Sequence, residues 1–95
     1  MTDTINYKLK SPITVDGGAP LTEVTLREPL VDDMIAGDEA GEQGDTMRLV
    51  NLLARMSGLS IENFRKIASR DALAMKRLAD AKWGNAEEDG ETSPS

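Results

Sequence analysis

The chain contains neither cysteine nor histidine. Without cysteine there are no disulfides, thiol nucleophiles or thiolate metal sites. Without histidine the commonest zinc ligand and the usual proton carrier near neutral pH are both gone. Aromatic residues are almost absent too, with Tyr7, Phe64 and Trp83 the only three. No apolar run approaches the roughly 20 residues needed to cross a bilayer. The opening Met1-Thr2-Asp3-Thr4 lacks the basic and apolar regions of a signal peptide. These absences lead to the expectation of a soluble, cytoplasmic protein with no metal and no other cofactor.

What is present is a chain of 95 residues, the length of one small domain. It is expected to bury roughly 60–65 % of its unfolded surface. Leu, Ile, Val and the methionines must build the core. The net charge of −6 is unevenly spread. Residues 28–45 carry seven acids and no base, residues 46–84 carry eight bases against three acids, and residues 85–95 add four acids. A basic helical half is thus flanked by acidic segments, a polarity that can drive self-association or mask a surface.

Ile5, Tyr7 and Leu9 alternate with polar residues, the period of a half-buried strand. Pro12 interrupts, and Asp16-Gly17-Gly18 has the chemistry of a tight turn. A return strand over 21–27 completes a β-hairpin over 5–27, with Glu23 and Arg27 on the face that carries Lys8 and Lys10. The hairpin ends abruptly at Leu26-Arg27-Glu28-Pro29, since proline suits the first turn of a helix. A short helix is read over 29–36, stopped by Gly37, followed by a flexible acidic loop over 37–45 with three glycines.

Asp45 or Thr46 caps the clearest helix, with Leu49, Leu52, Leu53 and Met56 at i, i+3, i+4, i+7 and Gly58 just past its end. Ser60 caps a shorter helix bearing Ile61, Phe64 and Ile67, and Ser69 caps a last one to about Trp83 with Ala74, Leu78 and Ala81 as one face. The polar residues 85–95 read as a disordered tail. The fold class is therefore α+β: an N-terminal β-hairpin, then three or four short helices making up 1–84.

Catalysis is rejected, because the carboxylates crowd the loop and tail, where nothing raises a pKa for acid work. Asp38, Glu39, Glu42 and Asp45 miss the alternation of a calcium loop. Residues 60–82 admit a helix-turn-helix, with Arg70, Lys76, Arg77 and Lys82 on its second helix. The acidic flanks oppose the approach of a phosphate backbone, so nucleic acid is not the expected partner. Protein binding remains. Met47, Leu49, Leu52, Leu53 and Met56 form a face wider than one stripe, with Arg48 and Arg55 beside it, and this is the candidate partner site.

Leu26-Arg27-Glu28-Pro29 followed by Asp32-Asp33-Met34, then Ser57-Gly58-Leu59-Ser60 and Asp71, also carry a resemblance. In the order of these elements the chain resembles the phage tail assembly chaperone family of Mu-like and related contractile-tailed phages and prophages. That resemblance implies a non-enzymatic factor that binds the tape measure protein and keeps it soluble until the tail tube forms around it. It further implies action in the bacterial host cytoplasm, absence from the mature virion, and a longer frameshifted form sharing this chain, while self-association stays open from the charge polarity alone. A small DNA-binding regulator and a structural tail subunit are the alternatives.

Overall fold

The structure is a computed structural model and describes residues 3–84; the tail over 85–95, expected to be disordered, lies outside the described residues. Strands β1 (Thr4–Thr14) and β2 (Pro20–Arg27) form an antiparallel hairpin, and four α-helices follow. The α+β architecture matches the sequence expectation. Gly17 and Gly18 both take positive φ at the turn, as the Asp-Gly-Gly motif requires.

The register runs from Thr4 opposite Arg27 to Lys8 opposite Glu23, then resumes with Ile13 opposite Leu21. From Lys8 to Ile13, β1 advances five residues while β2 moves only from Glu23 to Leu21. The excess forms a bulge at Lys10, Ser11 and Pro12, so the proline bends the strand without ending it. Lys8 does meet Glu23, but Lys10 falls in the bulge and Arg27 turns toward the helices.

Helix α1 spans Val31–Ala40, a 3₁₀ turn covers Gly41–Gln43, and α2 spans Asp45–Ser57. Two expectations are corrected here. Pro29 lies just ahead of the helix, whose N-cap is Leu30. The helix also passes through Gly37, and the segment read as a loop from residue 37 is helical to Ala40 and 3₁₀ beyond. Gly37 is buried against α2, where a Cβ would stand 3.4 Å from the Arg48 carbonyl oxygen and 3.9 Å from Leu52 Cβ. Its missing side chain is used for close helix packing, a tertiary gain that outweighs poor helix propensity.

Helix α2 ends at Gly58 in the left-handed conformation, φ 76°, and the Leu59 N–H returns to the Ala54 carbonyl at 3.1 Å. An added Cβ meets open space there, so only the backbone resists substitution. Gly58→Ala is accordingly expected to cost about 1 kcal/mol in a urea melt; no loss would show that the turn relaxes freely. Helix α3 is one turn, Ile61–Phe64, with Ser60 Oγ accepting the Asn63 N–H at 3.1 Å as predicted. Helix α4 spans Ser69–Trp83.

The core gathers Leu9, Val24 and Leu26 from the hairpin with Leu53, Met56, Phe64 and Met75 from the helical half. On α4 the buried positions are Asp71, Met75 and Ala79, while Leu78 is exposed. The expected Ala74–Leu78–Ala81 face is thus replaced by an i, i+4, i+8 stripe that begins with an acid. Counting apolar residues missed it because its first member is charged.

Candidate functional site

The joint Leu26-Arg27-Glu28-Pro29 is built around an acid four residues further on. Asp33 is 1 % exposed, and its carboxylate accepts from Arg27 Nη1 at 2.7 Å, Arg27 Nη2 at 3.2 Å and Arg55 Nε at 2.8 Å. It also accepts the Leu30 N–H at 2.7 Å, closing the first turn of α1. Arg27 further donates to the carbonyls of Glu28 and Arg55, each at 3.1 Å. The Arg27 guanidinium, against the opposition of burial, holds the Asp33 carboxyl well below the usual carboxylate range; the Leu30 N–H and Arg55 add to this. The bond to Asp33 in turn raises the already high pKa of Arg27. One carboxylate thereby ties β2, α1 and α2 together.

That tie decides which way α1 faces. Asp33 and Gly37 are its buried residues, so α1 packs on α2 through an acid and a glycine. Its large apolar side chains point outward: Val31 is 70 % exposed, Met34 58 % and Ile35 50 %, beside Leu30 at 60 %. Val31, Met34, Ile35 and Asp38 occupy i, i+3, i+4 and i+7, a stripe directed away from the body. The usual helix polarity is reversed.

Met34 connects this stripe to a groove of about 330 Å³ lined by Pro29, Leu52, Leu53, Met56, Ala79 and Trp83, with Glu28, Lys76 and Asp80 at its polar margin. Trp83 Nε1 is buried without a hydrogen-bond partner among the described residues. A second cleft of about 460 Å³ lies on the other flank of α2, lined by Met47, Leu49, Val50, Phe64, Ile67 and Leu73.

The face predicted on α2 is therefore divided. Met47 and Leu49 open on the second cleft, Leu52 on the first, and Leu53 and Met56 are core residues that reach the first cleft only at its floor. Arg48 lies 3.6 Å from Asp38 and 3.9 Å from Asp45, whereas Arg55 is committed to Asp33. Of the motif residues, Leu26 is fully buried, Gly58 makes a turn, and Asp71 is sealed under β1. The exposed residues of α1 were missed, although Val31, Met34 and Ile35 show helical spacing. They sit among acids in a segment read as a short helix running into a loop.

The second candidate, over 60–82, loses its geometry. One turn of helix at α3 does not build the supporting half of a helix-turn-helix. Arg70 Nη2 donates to Ser11 Oγ at 3.1 Å, and Lys76 pairs with Asp80. Among the described residues no acidic cluster is arranged to hold a metal ion, and no helix is long and apolar enough to cross a membrane.

A family model described as phage tail assembly chaperone proteins, E, or 41 or 14, matches residues 6–81, most of the chain. No curated protein and no solved structure matches.

Proposed function

The chain belongs to the phage tail assembly chaperone family, and from that premise we propose that it binds the tape measure protein and keeps it soluble while the tail is built. The proposed role is non-enzymatic, is carried out in the cytoplasm of the infected host, and ends before the virion is complete. One observation of the structure supports it: α1 presents an apolar stripe to solvent that opens through Met34 onto the groove beside α2. An exposed apolar surface rimmed by charge suits a partner helix. A long helical protein awaiting its tube needs its apolar stripe covered and later released. Many weak contacts along its length serve that better than one tight site.

The test is co-expression of this chain with the tape measure protein of the same phage, followed by a solubility assay and pull-down. The expected result is that the long partner stays in the supernatant only when this chain is present, and co-purifies with it. Equal insolubility with and without a folded chain would remove the proposal. Mass spectrometry of purified virions is expected to lack the chain, and its stoichiometric presence would make it a structural tail subunit instead.

A further inference from the structure

We propose that the outward face of α1, together with the groove entered at Met34, seats an amphipathic helix whose apolar stripe is bordered by lysine and arginine. This deepens the chaperone reading and rests on it for the identity of the natural partner. The apolar part of the site is Val31, Met34 and Ile35, continued by Pro29, Leu52 and Trp83 in the groove. At 1.5 Å per residue, α1 is about 15 Å long and its apolar positions from Val31 to Ile35 cover about 6 Å of that, so the groove residues supply the rest of the contact.

The rim selects the partner by charge. No lysine or arginine occurs from residue 28 to residue 47. Glu28 stands at the groove margin, Asp32 and Glu39 flank the stripe on α1, and Asp38 ends it. Among the described residues no base pairs with the carboxylates of Glu28, Asp32 or Glu39, while Asp38 pairs with Arg48 at 3.6 Å. Lys76 at the groove is matched by Asp80. The border carries its unpaired acids, Glu28, Asp32 and Glu39, beside the stripe, and an acid-bordered helix meets like charge along it.

Other occupants fit less well. Residues 85–95 of this chain carry one alanine as their only apolar residue and four acids with no base, so they can neither fill the groove nor complement its rim. Two copies joined symmetrically through α1 would place one acidic rim against the other.

The experiment titrates the full chain against three labelled synthetic helical peptides of about five turns, roughly 18 residues each. One has a leucine stripe bordered by lysine, one the same stripe bordered by glutamate, and one has serine in place of leucine with the lysines kept. Only the leucine–lysine peptide is expected to bind. Val31→Ser with Ile35→Ser is expected to weaken it at least about tenfold, because the apolar contact is lost. Glu28→Gln with Asp32→Asn is expected to weaken it severalfold and to flatten its salt dependence. Leu73→Ser with Leu78→Ser on α4 is expected to leave it unchanged. Val31 and Ile35 are exposed, so an unchanged circular dichroism melt accompanies the first pair.

Equal binding of the leucine–glutamate peptide would overturn the charge preference, and full binding of the serine–lysine peptide would reduce the interaction to unspecific attraction. Unchanged affinity in the Val31/Ile35 pair would overturn the site. A change in oligomeric state of the chain alone in that pair, without loss of peptide binding, would assign the face to a second copy instead. The same variants in the co-expression assay separate the two claims. Peptide binding at α1 with no protection of the tape measure protein removes the chaperone reading and leaves the site. Protection that survives Val31→Ser with Ile35→Ser leaves the chaperone reading and removes the site.

Discussion

Asp71→Leu is expected to cost about 3–5 kcal/mol, enough to leave a domain of this size close to unfolding at room temperature. The reason lies in the bulge of β1. Where the ladder breaks, the N–H groups of Lys10 and Ser11 lose strand partners, and the Asp71 carboxylate accepts them both at 3.1 Å. The Tyr7 hydroxyl donates to the same carboxylate at 2.7 Å. Asp71 is 0 % exposed and belongs to α4, so these three bonds fasten the last helix to the first strand. A leucine of similar size removes the acceptor and leaves the donors without one.

Tyr7→Phe is the graded control, expected at about 1–2 kcal/mol because only one donor is lost. Asp71→Asn falls between, since its amide keeps an acceptor but turns N–H groups toward a backbone donor. Urea midpoints by circular dichroism provide the measurement. An Asp71→Leu midpoint within about 0.5 kcal/mol of the parent would show that the bulge is satisfied by other means.

Acid sensitivity follows from the same carboxylate. Burial pushes the Asp71 pKa up, but the bonds from Tyr7, Lys10 and Ser11, with Arg70 nearby, carry it below the ordinary value. The Tyr7 hydroxyl is raised, first by donating to Asp71 and then by burial. With the folded pKa below the unfolded one, the stability is complete above about pH 4 and lost as pH falls through the folded value. Asp33 acts in the same direction. Wild-type stability is therefore expected to fall on acidification below about pH 4, and Asp71→Leu to fall less steeply.

The second large effect is expected from Asp33→Ala, and it is local. Arg27 and Arg55 are 40 % and 45 % exposed at their side chains, so on losing Asp33 their charges turn to water and are not stranded. The cost is accordingly set lower, about 2–3 kcal/mol. Its location matters more than its size. With Val31, Met34 and Ile35 facing solvent, α1 is held on the body by Asp33, by Gly37 against Arg48, and by its half-buried alanines. Amide exchange over Val31–Ala40 is expected to quicken while β1, β2 and α4 keep their protection. Uniform protection across Val31–Ala40 in the variant would show that the helix is held without the carboxylate. The apolar stripe would also lose its fixed orientation, so the variant is expected to bind a partner helix more weakly than its overall stability accounts for.

These two carboxylates mark where sequence reading stops. Elements governed by neighbours in the chain were legible: the Asp-Gly-Gly turn, the Leu49–Met56 periodicity, the left-handed Gly58 and the Ser60 cap all depend on residues within one or two turns. Apart from the Leu30 N–H on Asp33, the partners of Asp33 and Asp71 lie 6 to 64 positions away, and nothing local distinguishes a buried acid from a solvated one. Gly37 misled for the same reason, since its use lies in a contact with Arg48. The candidate site shared this fate. The face on α2 was visible as a pattern, but which of its side chains the core would take depended on how α1 docked.

Local chemistry thus specified the alternation of strand and helix, the turns between them, the absence of thiol and imidazole chemistry, and the acid-rich run from Glu28 to Asp45. Packing specified the rest. Burying Asp33 against two arginines satisfied its charge and turned α1 so that Gly37 met α2 and Val31, Met34 and Ile35 met water. A helix has only one face to spend on its neighbour, and here the ion pair and the glycine contact took it.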